Sequence, residues 1–256
     1  MTHFAHSTNV LRRSGLLLAA FALAATATAA YADPLPIVNG GFEDLLNPGV
    51  SSEFGTAFPS QQVTGWTTSG YNFVFTPGTA DTTGADSQFG NLQLWGPGNG
   101  SSNGLPASSP LGGNYIAADG AFNQAAISQV ISGLVIGQTY DVVFYYAGAQ
   151  QHGFNGPNTE QWQVSFGGQT QSTPVLLNGD EGFTGWQQAD FVFTADGTSD
   201  TLSFLAVGTP SGVPPFSLLD GVSVAPTPEP GSLALLATGL FGVGGVVRSR
   251  FKKVAA

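Results

Sequence analysis

Short apolar runs with alternating polar positions fill the middle of the chain. In the stretch QWQVSF, Trp162, Val164 and Phe166 fall on one face, because successive side chains of a strand point to opposite sides. Gly, Pro, Asn, Asp and Ser separate these runs, and no stretch has sustained helical periodicity. The pattern predicts an all-β domain, and its clearest strands cover residues 114–119, 125–131, 139–148, 161–166, 185–195, 200–207 and 216–224.

The alternation predicts a β-sandwich over residues 33–225, in which each of two sheets has one buried face and one wet face. Residues 76–113 are rich in Gly, Ser, Asn, Pro and Thr and are therefore expected to be loop. One apolar stretch inside them, LQLW at 92–95, is a strand candidate. A loop of this length is usually either functional or disordered.

The N-terminus has the pattern of a secretory signal peptide. An arginine pair, an apolar stretch and small residues precede Asp33, which predicts a signal peptide helix over residues 1–32, removed before Asp33. Cleavage after Ala29 or Ala30, or a permanent membrane helix, are the alternatives. A signal peptide implies the secretion machinery and signal peptidase as partners.

The C-terminus has the pattern of a membrane anchor. Residues 232–247 carry no charge and residues 248–253 are a basic tail. Sixteen helical residues would span roughly 24 Å of a hydrocarbon core of about 30 Å, which is a marginal transmembrane helix. The positive-inside rule leaves the tail in the cytoplasm and the domain outside. The alternative, a buried core helix, would not be followed at once by four bases and the chain end.

The residues Pro228, Glu229 and Pro230, the short apolar helix and the basic tail together resemble the PEP-CTERM sorting signal, over residues 226–256. The resemblance implies processing near this tripeptide by an exosortase, a membrane-embedded enzyme of outer-membrane-bearing bacteria. The protein would be anchored transiently in the inner membrane and would then reach the cell surface or the extracellular matrix.

Charge narrows the choice of partners. No Lys or Arg occurs from residue 14 to residue 247, whereas fifteen carboxylates lie between Asp33 and Asp220. Phosphate recognition needs cationic side chains, so nucleic acid and anionic lipid headgroups are excluded as partners. The chain has no cysteine, which excludes disulfides and thiolate-bound metals.

Four stretches in order along the chain are similar to the galactose-binding-like jelly rolls, a group that includes many carbohydrate-binding modules. They are NGGFED (39–44), VTGWTT (63–68), ISQVISGLVIGQTYDVVFYYA (127–147) and SLLDGVSV (217–224). The resemblance implies a jelly-roll β-sandwich and a role in binding polysaccharide.

The same resemblance implies a structural Ca²⁺ that joins the two ends of the domain. Glu43 and Asp220 would supply carboxylates, and Asn39 or Gly41 would supply a carbonyl oxygen, the kinds of ligand that calcium prefers. The alternative is that both carboxylates simply accept backbone N–H groups in a turn.

Aromatic rings are the side chains on which sugar rings stack. Trp95, Tyr146 and the polar run 150–158, which contains His152 and Asn155, are the candidates for a ligand face, although each could equally be a core or surface residue. Catalysis has little support. His152 is the only histidine after the signal peptide, and Asp180-Glu181 is typical of a turn. The Gly-x-Ser-x-Gly match at 100–104 lies in a Gly-rich loop and not in the strand-to-helix turn of a nucleophile elbow.

These features favour a non-catalytic polysaccharide-binding protein of the envelope or matrix. The alternative is a structural or adhesion protein of the matrix without a discrete ligand, and a glycan-active enzyme is the third possibility.

Overall fold

Eleven strands make two sheets in residues 37–227, the part of the chain that the computed structural model describes. One short 3₁₀ helix, Pro97–Asn99, is also present. The strands are β1 (Ser52–Glu53), β2 (Asn72–Phe75), β3 (Tyr115–Asp119), β4 (Ile127–Ser132), β5 (Thr139–Gln150), β6 (Asn158–Phe166), β7 (Gln169–Ser172), β8 (Leu176–Asn178), β9 (Gln187–Thr194), β10 (Ser199–Thr209) and β11 (Pro215–Pro226).

One sheet has six strands in the order β1-β2-β3-β11-β5-β9, and the other has the order β4-β10-β6-β7 with β8 also paired to β6. All pairings between these strands are antiparallel. The expected all-β jelly-roll sandwich is confirmed for this part of the chain.

All seven strands expected from the alternation are present, with ends that differ by a few residues. The four strands that the pattern did not predict, β1, β2, β7 and β8, have two to four residues each, too few for a period of two to be visible. The strand expected at 92–95 is wrong. Leu92 and Leu94 each form only an isolated bridge, to Ala85 and Gln151.

The main apolar core lies between the two sheets. The expected inward face of β6 is confirmed, since Trp162, Val164 and Phe166 are all buried there. The indole Nε1–H of Trp162 donates to the carbonyl of Leu218 in the opposite sheet at 2.9 Å. Phe204 packs edge-to-face against Trp162, with ring centroids 6.1 Å apart.

A second apolar cluster covers the outer face of the six-stranded sheet, where the alternation predicted a wet face. Residues 76–113 fold over this face rather than extending into solvent, and apolar side chains from this covering segment pack onto the strands below. The strands contribute Phe73, Phe75, Tyr115, Ala117, Ala147, Ala149, Phe216 and Leu218, and the covering segment contributes Ala80, Ala85, Leu92, Leu94 and Leu105. The strand NFVF (β2) is consequently buried on both sides.

The expected signal peptide, the Pro228-Glu229-Pro230 motif, the helix over 232–247 and the basic tail all lie outside residues 37–227. Within that range, none of the helical structure is long and apolar enough to cross a membrane.

Candidate functional site

A surface pocket of about 280 Å³ opens beside the covering segment, where β3 ends and the loops after β5 and β10 meet. It is lined largely by aromatic rings, with one carboxylate and one amide among them. The lining residues are Tyr71, Phe89, Asp119, Phe122, Gln151, Phe154, Ser211 and Pro214.

Three rings form one wall of the pocket. The centroids of Tyr71 and Phe89 lie 5.6 Å apart, those of Tyr71 and Phe122 5.4 Å, and those of Phe89 and Phe122 5.5 Å, all edge-to-face. Tyr71 is buried, whereas Phe89 is 61% exposed and Phe122 43% exposed. An apolar ring left so open to water is available to a ligand.

Local hydrogen bonds hold the two exposed rings in place. Ser87 Oγ donates to the carbonyl of Gly90 at 2.7 Å and accepts from the N–H of Phe89, which closes a tight turn that presents Phe89. Asp119, the last residue of β3, accepts the N–H of Phe122 through Oδ1 at 3.0 Å. The same oxygen accepts the N–H of Ala121 at 2.8 Å. The carboxylate therefore fixes the loop that carries Phe122.

Asp119 is the only ionisable carboxylate among the residues that line the pocket. Burial raises its pKa to about 6, although the two backbone N–H groups act in the opposite direction. No Lys or Arg occurs between residues 37 and 227, so no cationic side chain of this part of the chain neutralises it. The pocket thus holds a desolvated negative charge among aromatic rings.

Three of the four candidate ligand residues, Trp95, His152 and Asn155, lie next to Gln151 and Phe154, which line this pocket. The rings of Trp95 and His152 are 4.3 Å apart, and Trp95 Nε1–H donates to the carbonyl of Phe154 at 2.8 Å. Asn155 is exposed next to Phe154, and its Nδ2 donates to Glu181 Oε1 at 2.9 Å.

Tyr146, the fourth candidate, is not on this surface. It is 3% exposed and packs in the main core beside Phe144, on the inner face of β5. Its hydroxyl contacts Gln187 Oε1 at 3.2 Å. The sequence left open which of the adjacent residues Tyr145 and Tyr146 faces inward, and the register of β5 decides this. As a ligand contact, Tyr146 was therefore the wrong choice.

Residues 39–44 and the last strand, β11, lie side by side. The N–H of Val222 donates to the carbonyl of Gly40 at 2.9 Å, beside a bulge in β11 that follows Asp220. Asp220 is buried, and Ser109 Oγ–H from the covering segment donates to its Oδ2. Its Oδ1 is fully buried without any hydrogen-bond partner in the described part of the chain.

The surroundings of Asp220 fit a cation in charge and in donor type. Its pKa is raised to about 6, mainly by burial and also by the charge of the neighbouring Glu43, although the Ser109 and Gly221 hydrogen bonds act in the opposite direction. Glu43 accepts the N–H of Asn114 at 2.8 Å, so this carboxylate also bonds a backbone N–H group, as the alternative interpretation expected. Among residues 37–227, no three His, Cys, Asp or Glu side chains converge as a metal cluster. A calcium ion would therefore need backbone carbonyls as well.

Of the two carbonyl candidates, Gly41 is close to Asp220. A Cβ at Gly41 would lie 3.9 Å from the unpartnered Asp220 Oδ1. Asn39 has another role, since its carbonyl accepts from Phe42 N–H and from Trp66 Nε1–H, both at 3.0 Å. Its side-chain amide also bonds Asp44, at 2.9 Å in both directions.

Phe89 and Phe122 were not among the candidate ligand residues, whereas Gln151 and Phe154 fall in the candidate run 150–158. Phe89, Phe122 and Phe154 each stand as one ring in a polar context, in SQFGN, GAFNQ and HGFNG. A lone Phe between Gly, Asn and Gln has no alternating neighbours with which to enter a core, and this signal could have identified all three. Their convergence could not have been read, because they are far apart in the chain.

The family model described as the PEP-CTERM protein-sorting motif matches residues 226–250. The chain therefore carries this motif, which indicates export and sorting to the surface in bacteria with an outer membrane. No curated protein matches the sequence at a significant level.

Among solved structures, the domain is similar to TmCBM61 in complex with β-1,4-galactotriose, with 17% identity, a TM-score of 0.37, and coverage of 76% of this chain and 100% of that one. The CBM22-1 xylan-binding domain of Paenibacillus barcinonensis Xyn10C has 13% identity, a TM-score of 0.32 and coverage of 73% and 97%. The arabinose-bound arabinofuranosidase MgGH51 has 15% identity and a TM-score of 0.38, and the match covers 77% of this chain but 26% of the enzyme. Similarity at this level says nothing about ligand or activity.

Proposed function

We propose that this protein is exported, processed by an exosortase and acts outside the cell as a non-catalytic polysaccharide-binding protein. The observation that carries the proposal is the pocket wall of Tyr71, Phe89 and Phe122 beside Asp119 and Gln151. Pockets that bind small polar molecules combine apolar and aromatic walls with a few convergent polar groups.

A sugar residue suits these walls because its ring has apolar C–H faces as well as hydroxyl groups. Phe89 and Phe122 expose the apolar area on which such a face can rest. Asp119 and Gln151 can accept hydrogen bonds from hydroxyls, and the Gln151 amide can also donate them. Beside the pocket, Trp95 and His152 offer a further aromatic surface to the next residue of a polymer.

The content of the pocket favours binding over hydrolysis. Glycoside hydrolases normally use two carboxyl groups placed about 5–10 Å apart on either side of the bond. The residues that line this pocket include one carboxylate, Asp119. A glycan-active enzyme would need its second carboxyl group elsewhere.

Export and processing are tested by the termini of the mature protein. If the signal peptide and the sorting motif are both processed, mass spectrometry of protein recovered from the producing cells will find a chain that begins near Asp33 and ends near Glu229. A full-length chain recovered from the cytosol would contradict this part of the proposal.

Ligand binding is tested on a glycan array with the full-length protein in detergent, followed by titration of the best glycan. Phe122→Ala should weaken binding about two- to twelvefold, because an aromatic stacking contact is worth about 0.5–1.5 kcal/mol. The matched control is Leu177→Ala, which truncates a side chain that is 82% exposed on the other sheet and should leave affinity unchanged. A flat array would instead favour the structural matrix protein.

A calcium ion at Glu43 and Asp220 belongs to the same proposal as a structural element. When bound, it would supply positive charge between two carboxylates that otherwise repel each other. The buried Asp220 Oδ1 without a partner and the absence of any Lys or Arg in residues 37–227 support it.

A further inference from the structure

The pocket has an electrostatic feature that a site for a neutral sugar does not require. Residues 37–227 contain fourteen carboxylates and no Lys or Arg, so the field of this domain is negative throughout. Such a field draws cations towards a cleft and repels anionic glycans. Inside the pocket, the charge of Asp119 faces aromatic rings instead of a basic partner.

The carboxylate of Asp119 is only partly satisfied. Both backbone donors, Ala121 N–H and Phe122 N–H, bind the same oxygen, Oδ1. No hydrogen bond to Oδ2 is present among residues 37–227. The residue is 2% exposed, and Oδ2 is not among the fully buried polar atoms without a partner, so its remaining contact with solvent lies in the pocket. A ligand group that both donates a hydrogen bond and carries positive charge would offset the cost of this burial best, since charge-assisted hydrogen bonds are the strong ones.

The three rings provide the second half of such a site. A cation within about 6 Å of an aromatic centroid is attracted by the negative face of the ring. Tyr71, Phe89 and Phe122 are spaced 5.4–5.6 Å from one another, so one small cationic group can contact more than one of them. A hydroxyl group would gain nothing comparable from this arrangement.

We propose that the pocket recognises the protonated amine of an amino sugar, and hence a polysaccharide that carries free, non-acetylated amino groups. In this arrangement the ammonium group donates to Asp119, while Phe89 and Phe122 contact its charge and the adjacent C–H face of the ring. This inference rests on the proposed function, since it assumes that the pocket binds a glycan. It assigns Asp119 as the residue that determines specificity.

The test compares three oligosaccharides of equal length with the same β-1,4 linkage, titrated into the full-length protein at a slightly acidic pH above the pKa of Asp119, so that the sugar amine is largely protonated and Asp119 is largely ionised. They are oligomers of glucosamine, N-acetylglucosamine and glucose, which differ at C2 in bearing an ammonium, an acetamide or a hydroxyl group. The glucosamine oligomer should bind at least about tenfold more tightly than the other two. Equal binding of all three would overturn this inference and leave the proposed function standing. No binding of any would also overturn this inference, and the glycan array would then decide the proposed function.

Asp119→Asn isolates the charge, because the amide oxygen can still accept the N–H groups of Ala121 and Phe122. It should abolish the preference for the glucosamine oligomer and change the affinity for the glucose oligomer much less. Asp190→Asn is the matched control, since it removes one exposed carboxylate elsewhere on the same domain. If both variants weaken glucosamine binding equally, the attraction belongs to the whole surface and the assignment of Asp119 is wrong.

Two further measurements keep the inference testable. Thermal unfolding will show whether Asp119→Asn impairs folding. If it does, Phe122→Ala should still weaken the binding of the glucosamine oligomer. Choline, a quaternary ammonium ion without a sugar, is added as a competitor. Displacement of the oligomer by choline at an equal concentration would overturn the assignment to an amino sugar, and failure to displace it supports the assignment.

Discussion

The two sheets of this sandwich have the same inner environment and opposite outer ones. On the five-stranded sheet, the outward positions of β6 are Thr159, Gln161, Gln163 and Ser165, all only half-buried. On the six-stranded sheet, the outward positions of β2 are Phe73 and Phe75, both fully buried. The first face meets water and the second meets the covering segment, residues 76–113.

In this sandwich, an irregular segment covers one sheet as a third layer would. The covering segment contains little regular structure, yet its leucines and alanines bury one face of a sheet, and its turn at Ser87 presents Phe89 to the pocket. The candidate site lies at the edge of this layer, and the open polar face of the other sheet carries no comparable aromatic group. The candidate site is thus found where the extra layer ends.

The largest expected effect separates the two outer faces directly. Phe73→Ala should lower the free energy of unfolding by about 3–5 kcal/mol, because it leaves a cavity under the covering segment. Val130→Ala, on the outward face of β4, should change it by less than about 0.5 kcal/mol, because Val130 is 66% exposed. Urea denaturation measures both. Similar values for the two variants would mean that the covering segment forms no second core.

The second prediction concerns a buried acid that no ligand can reach. Glu160, on the inward face of β6, is 1% exposed, and burial raises its pKa from 4.5 to about 8, although a hydrogen bond from Asn178 acts against this. The folded protein therefore retains a proton that the unfolded chain loses above pH 4.5. The free energy of unfolding should fall as pH rises from about 4.5 to about 8, by at most roughly 5 kcal/mol from this group.

Glu160→Gln should remove this part of the pH dependence. Denaturation of both proteins at several pH values between the two limits will check it. Asp119 and Asp220 titrate in the same direction in both proteins, so the difference between the curves reports Glu160 alone. Parallel curves would show that Glu160 is not held in its neutral form.

The third prediction concerns calcium binding at Asp220, where the covering segment meets the last strand. Ser109 from that segment donates to Asp220, the proposed calcium ligand. Added Ca²⁺ should raise the midpoint of thermal unfolding of the wild-type protein, as a ligand that binds only the folded state does. Asp220→Asn should abolish the increase. Asp190→Asn, at an exposed position, should preserve it, and an equal loss in both would point to non-specific counterion binding.

The smallest expected effect compares one buried tyrosine from each cluster. The hydroxyl of Tyr140, in the main core, accepts the N–H of Val135 at 2.9 Å. The hydroxyl of Tyr115, in the outer cluster, is buried without a partner in residues 37–227. Tyr140→Phe should cost about 1–2 kcal/mol, whereas Tyr115→Phe should be neutral or slightly stabilising. Thermal unfolding of the two variants should therefore shift in different directions or by clearly different amounts.

Most of the fold was predictable because alternation is a local property. The inward face of β6 and the pair Phe191 and Phe193 on β9 can be read from residues two apart, since the period of a strand requires no knowledge of its neighbours. Continuous burial of a strand such as NFVF also leaves a local trace, an apolar run without alternation. That trace could have indicated a covered outer face but not what covers it.

The all-β class, the inward faces of the long strands and the sorting motif can be read from the sequence, because each depends on residues close together in the chain. The restriction of basic residues to the two ends is also a property of the sequence alone. Three features are visible only in the tertiary structure. Tyr146 is in the core, residues 76–113 form a layer, and Phe89, Phe122 and Asp119 share a pocket. The physical reason is that these contacts join residues far apart in sequence, and the register and packing of the sheets bring them together.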